Sequence, residues 1–213
     1  MVHTNKKLGF TVIELSIAAI VLALLMGVAY KIFSGASLGF QRSTKSLTMQ
    51  NEMRNGLNFI REEMQRASYR SDIKINGNII NEDKYFSLTK DSEIDGKTNK
   101  RLAKWFICKP FIGTSGVVFT CTLDIADNKI YYTKKVTDGS DATELEFDNK
   151  IVMTQIGKIR LSTEDITSGT GSEVIGALIN IETFAVDSTK GQADLNVSAQ
   201  TGAKVEVKVV KEL

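Results

Sequence analysis

From Phe10 to Phe33 the chain is almost continuously apolar, with one acid, Glu14, near its start and Lys31 near its end. As an α-helix this run is long enough to cross about 30 Å of hydrocarbon. The following stretch, Ser34-Gly35-Ala36-Ser37-Leu38-Gly39, contains glycines, each weakening a helix by about 1 kcal/mol relative to alanine, so a flexible or stretched segment is expected there. Met53, Leu57, Ile60, Met64 and Ala67 then recur at intervals of 4, 3, 4 and 3, which predicts a helix with one apolar stripe. Arg54, Arg61, Glu62 and Arg66 fall on its other faces.

Past Ser71 the period shortens to that of strands. Arg101 to Cys108, Gly116 to Leu123, Lys129 to Val136, Thr143 to Phe147, Ile151 to Leu161, Ile175 to Val186 and Ala203 to Val210 are β-prone, with Asp127-Asn128, Asp138-Gly139 and Asp148-Asn149 as punctuation. Val205, Val207 and Val209 alternate with Glu206 and Lys208, as in a strand with one wet face. Asn76 to Asp83, Asp91 to Lys100, Thr163 to Glu173 and Asp187 to Thr201 are expected loops. The fold class that follows is α+β. A membrane-length helix over 10–33 and an amphipathic continuation over 34–71 lead into a mostly antiparallel sheet body over 72–213, with residues 1–9 in front.

The 213 residues are 42% hydrophobic and 24% charged, so the body has enough apolar side chains to bury a core. The formal charge is only +2, which gives no general grip on a phosphate backbone. The positive-inside rule is nearly balanced, with Lys6 and Lys7 before the span and Lys31, Arg42 and Lys45 after it. A carboxylate inside a membrane span is costly and therefore usually has a partner or a job. Glu14 is the first candidate functional residue.

Lys6-Lys7-Leu8-Gly9-Phe10-Thr11-Val12-Ile13-Glu14-Leu15, followed by the apolar run, resembles the class III signal of type IV prepilins and type II secretion pseudopilins. The resemblance implies cleavage between Gly9 and Phe10 by a prepilin peptidase, N-methylation of Phe10, and assembly with other pilin or pseudopilin subunits from the inner membrane. The body would then face the periplasm or the exterior. Glu14 occupies the position whose acid is thought to neutralise the N-terminal amine of a neighbouring subunit; pairing with its own amine, one helical turn away, is the nearer alternative. Loss of Lys6 and Lys7 with the leader leaves 25 basic against 25 acidic side chains. The stretch Arg54 to Ala67 is similar to the helix of PilW-type minor pilins and J-type minor pseudopilins. The proline common in the span of major pilins is absent, Pro110 being the only proline, so a bend would fall to Gly27 or Gly35.

Two plainer readings compete. A secretory signal peptide would have a shorter apolar core and a small-x-small cleavage site. A single-pass anchor for a periplasmic binding protein or enzyme accounts for the span, but not for Gly9 or Glu14. Catalytic inventory is thin: the only histidine, His3, lies in the leader, so no histidine-based triad or zinc site can be built from residues 10 onward. A pair of carboxylates could still act, but no spacing singles one out.

No cofactor, metal or nucleic acid is signalled. Thr167-Ser168-Gly169-Thr170-Gly171-Ser172 lacks the ending of a phosphate-binding loop. Asp124 with Asp127, or Asp138 with Asp141, lacks a calcium-loop pattern, so turn and surface roles are expected. In an oxidising compartment Cys108 and Cys121, on two strands expected to pair, are candidates for a disulfide worth about 3 kcal/mol. Two buried thiols are the alternative, because strand register cannot be read from sequence.

Overall fold

A computed structural model describes residues 11–67, 74–75, 78–79, 86–89, 91–109, 117–139, 145–167, 174–186 and 193–206. The chain divides into two compact units, Met1–Leu47 and Thr48–Leu213. Helix α1 spans Val12–Gln65, so it supplies most of the first unit and opens the second. Ser34 to Gly39 is helical rather than stretched, and an added side-chain atom at Gly27, Gly35 or Gly39 would meet nothing. The four glycines among these 54 helical residues cost propensity without breaking the hydrogen-bond ladder.

In the second unit the expected stripe is the buried face of α1. Met53, Leu57, Ile60 and Met64, with Ala67 just beyond the helix, all lie in the core. Gly56 lies on the same side. A Cβ there would stand 2.1 Å from Cγ of Met153 and 2.9 Å from the carbonyl oxygen of Val152, so only glycine lets the helix approach this strand so closely.

The strands are β1 (Lys74–Ile75), β2 (Asn78–Ile79), β3 (Phe86–Leu88), β4 (Glu93–Asp95), β5 (Lys100–Lys109), β6 (Val117–Ala126), β7 (Lys129–Asp138), β8 (Phe147–Met153), β9 (Ile156–Thr167), β10 (Val174–Val186) and β11 (Ala193–Glu206). They form a β1-β2 pair, a five-stranded sheet in the order β3-β5-β6-β7-β8, and a four-stranded sheet in the order β11-β10-β9-β4. All the pairings described are antiparallel. The core draws Leu102, Trp105, Phe119, Leu123 and Ile130 from the larger sheet, and Ile159, Leu161, Ile179 and Ile181 from the smaller. The α+β architecture is therefore a helix packed through its second half against antiparallel sheets.

The hairpin between β6 and β7 turns at Asp127 and Asn128, both left-handed at φ 50° and 59°, the signature of a type I′ turn. Its tip joins the two sheets. Asn128 N–H donates to the Gly96 carbonyl at 2.8 Å, the Ile156 N–H donates to the Asn128 carbonyl at 2.8 Å, and Gly96 N–H donates to the Gly157 carbonyl at 2.9 Å. A Cβ on Gly96 would fall 1.8 Å from the Ile156 carbonyl oxygen, which excludes any other residue without local rearrangement.

Several expected boundaries move. Phe147 opens β8, so the pair Asp148-Asn149 lies inside a strand, where Asn149 at φ 50° accommodates a register shift. The break falls instead at Thr154-Gln155, with Gln155 at φ 58°, dividing the expected Ile151 to Leu161 strand. β4 lies in the expected loop Asp91 to Lys100, β2 in the expected loop Asn76 to Asp83, and β9 continues to Thr167. β11 begins at Ala193, within the expected loop Asp187 to Thr201. Val207 and Val209 are outside the described residues, as are Pro110, Asp141, Thr143, Gly169 and Gly171.

One polar cluster is enclosed in this core. Glu63 of α1 and Lys134 of β7 are only 5% and 2% exposed. The Tyr132 hydroxyl donates to Glu63 Oε2 at 2.5 Å, Lys134 Nζ stands 4.0 Å from the same oxygen, and Arg66 NH1 reaches Oε1 at 3.3 Å. Lys134 also lies over the Phe119 ring, 4.7 Å from its centroid. Tyr132 stacks on Trp105 and receives the edge of Phe59. Burial chiefly, with Cys121 and Glu63 adding to it, holds the Tyr132 hydroxyl far above its ordinary pKa.

Candidate assembly segment

Thr11 precedes the first helical residue and has the geometry of an N-cap: its carbonyl accepts from Leu15 N–H at 3.1 Å. Glu14 stands three residues on. Glu14 N–H donates to Thr11 Oγ1 at 3.3 Å, while the Thr11 backbone N–H and hydroxyl each donate to Glu14 Oε2 at 2.9 Å. This reciprocal pair is a capping box, which satisfies groups that the first helical turn leaves without partners. The Thr-x-x-Glu spacing of Thr11 and Glu14 is the sequence signal for this cap, although it stands at the head of an apolar run in which Glu14 is the one acid.

The residues after this cap cannot be explained by packing within the chain. α1 contains an 18-residue window of mean hydropathy 2.5, none of it buried in the protein. Val12, Ile13, Leu15, Ile20, Leu24, Leu25, Tyr30 and Phe33 are all exposed, as are Leu38, Phe40 and Leu47 farther along. The helix is thus long and apolar enough to cross a membrane, and its exposed side chains would be costly in water. Lys6, Lys7, Gly9 and Phe10 lie outside the described residues.

The other sequence candidates do not join this segment. Asp124 pairs with Arg101 at 3.0 Å, Asp127 forms the β6-β7 turn, and Asp138 ends β7. Among the described residues no group of three or more His, Cys, Asp or Glu side chains is placed to hold a metal.

The ladder works against the Cys108–Cys121 bridge. Cys108 is opposite Val118 and Cys121 is opposite Trp105, so the two positions are offset by three residues. At about 3.3 Å per residue that offset exceeds the Cα separation a disulfide spans. Cys121 is a buried thiol whose sulfur lies 3.4 Å from the Tyr132 hydroxyl oxygen.

Glu63, Lys134 and Gly56 were not anticipated as special positions. The acidic pair Glu62-Glu63 reads as helix surface, and only the 3.6 period, which puts position 63 beside positions 60 and 64, could have marked Glu63 as inward. No family model, no curated protein and no solved structure matches this chain.

Proposed function

We propose that the protein is a non-enzymatic subunit of a type IV pilus or type II secretion pseudopilus, of the minor pilin or minor pseudopilin kind. The observation that carries this reading is the run Lys6-Lys7-Leu8-Gly9-Phe10-Thr11-Val12-Ile13-Glu14-Leu15 placed directly before an exposed apolar helix. A prepilin peptidase removes Met1 to Gly9 at the cytoplasmic face and Phe10 is N-methylated. The helix holds the subunit in the inner membrane until it packs with the helices of other subunits. An exposed apolar surface long enough to span a bilayer serves both stages, because lipid and neighbouring helices cover it in turn.

Mass spectrometry of the native protein tests the reading directly. Phe10 is expected as the N-terminal residue, carrying one methyl group, and replacement of Gly9 by a bulky residue is expected to block processing. An intact Met1 in cells with active prepilin peptidase would refute the proposal and favour a single-pass anchor for a periplasmic binding protein or enzyme. Incorporation is the second measurement. Glu14→Ala is expected to leave cleavage intact while reducing co-purification with filament partners, and normal co-purification would remove Glu14 from assembly.

A further inference from the structure

The four-stranded sheet puts Ile159, Leu161, Ile179 and Ile181 into the core and leaves its other side open. On that open side the register aligns Glu93, Arg160, Glu182 and Gln200 in one row across the strands. The next row holds Ser162, Asn180 and Gly202, and the row beyond holds Glu164, Leu178 and Lys204. The row of long side chains and the row of short ones beside it, together with Ser92 and Thr201, line a trench across the strands. Its volume is about 710 Å³, within the range typical of ligand clefts.

The chemistry of the trench narrows what it can hold. Arg160 donates from Nε to Glu93 Oε1 at 2.6 Å and from NH1 to Glu182 Oε2 at 3.4 Å, while Lys158 Nζ meets Glu93 Oε2 at 2.6 Å. The Arg160 guanidinium also lies 4.9 Å over the Phe184 ring. Each cation of this wall is therefore matched by carboxylate, so a phosphate or sulfate would have to displace Glu93 or Glu182, and a metal ion would have to displace Arg160. The floor of serine, asparagine and glycine offers nothing to an acyl chain or an apolar peptide side chain. It does offer amides and hydroxyls, which donate and accept together, the pairing that vicinal hydroxyls need.

Gly202 has a particular place here. A Cβ at that position would stand 3.3 Å from Asn180 Oδ1, and a larger side chain would close the trench. Glycine inside a strand weakens it and often marks a close approach of a ligand. We infer that the trench binds a neutral saccharide laid across β9, β10 and β11, with Asn180 and Ser162 beneath it and Glu182 and Gln200 along its side.

The test uses the full-length protein in lauryldimethylamine oxide, a detergent without a sugar head group. Cellotriose, chitotriose and maltotriose are titrated separately and followed by ligand-detected NMR, with a heparin oligosaccharide as the polyanionic comparison. Saturable binding of at least one neutral trisaccharide is expected, weakened tenfold or more by Asn180→Ala and by Gly202→Val, with the thermal midpoint of Asn180→Ala unchanged. Failure of all three to bind, binding that Asn180→Ala leaves intact, or preference for the polyanion would each overturn the inference. The assay is independent of leader processing, so its failure leaves the filament reading untouched.

Discussion

Ile20 and Ile60 belong to the same helix and carry the same side chain, yet Ile20 is 62% exposed and Ile60 is fully buried. Around Ile20 apolar residues occur on every side of the helix, so no rotation could hide them all against one sheet. Around Ile60 they form a stripe, and one sheet face suffices. The comparison separates two uses of one secondary structure. The second half of α1 packs into the core of its own unit, whereas the first half is exposed, and long and apolar enough to cross a membrane.

The cluster around Glu63 should give the largest effect in the second half. Removing one member of a buried charged pair costs about 3 to 5 kcal/mol, because the other charge stays buried and loses its counter-charge. Glu63→Leu is expected to destabilise the body by that amount in chemical denaturation, and to lose part of that cost when Lys134→Met is added. A double-variant loss equal to the sum of the two single-variant losses would show that the two groups are not coupled. The same cluster predicts an alkaline response. Since burial raises the Tyr132 pKa in the folded protein, its contribution is complete below about pH 10, the ordinary tyrosine value, and declines as pH rises above it. Tyr132→Phe should make that decline shallower.

The isoleucine comparison comes next in size. Ile60→Ala is expected to lower the stability of the body by about 2 to 5 kcal/mol, the usual range for emptying a packed core position. Ile20→Ala should leave the same denaturation curve unchanged. A common shift in both variants would mean that the first half of α1 also contributes to the folding of the body. At Gly56, overpacking replaces cavity formation. Gly56→Ala is expected to cost about 1 to 3 kcal/mol through its collision with Met153 and the Val152 carbonyl, although alanine is the better helix former. A more stable Gly56→Ala protein would show that the close approach is not obligatory.

The contrast between the halves of α1 was legible in the sequence because each depends on period: a continuous run for one, a stripe for the other. The long central strands were legible for the same reason. What could not be read depends on partners distant in the chain. β4 contains one apolar residue, Ile94, between two acids, and becomes a strand only because β9 supplies its ladder. The beginning of β11 carries Asp194, Asn196 and Ser198, a polar composition that an edge strand tolerates and a loop also shows. Gln155 turns the chain between β8 and β9 without glycine or proline to announce it. The cysteine pairing failed on register, the one property of a hairpin that its two strand sequences do not contain. In the apolar half, Glu14 was legible as an exception to the pattern, while its bond to Thr11 followed from a spacing rule usually sought in soluble helices.

That double role of Glu14 sets the smallest and most discriminating prediction. A capping box needs an acceptor at the third helical position, and glutamine supplies one as glutamate does. Neutralisation of a neighbouring subunit's amine needs a negative charge, which glutamine lacks. Glu14→Gln should therefore retain the hydrogen-exchange protection of the first turn of α1 to within about twofold, while Glu14→Ala loses it. Thr11→Ala should weaken the same turn by about 1 kcal/mol, the usual loss for an N-cap. Filament incorporation then assigns the function. If charge drives docking, Glu14→Gln assembles as poorly as Glu14→Ala although its cap is intact, and Thr11→Ala assembles well although its cap is broken. If Glu14→Gln assembles like the wild type and Thr11→Ala does not, the carboxylate matters as a cap and not as a counter-charge, because the capped first turn alone would then follow the assembly phenotype.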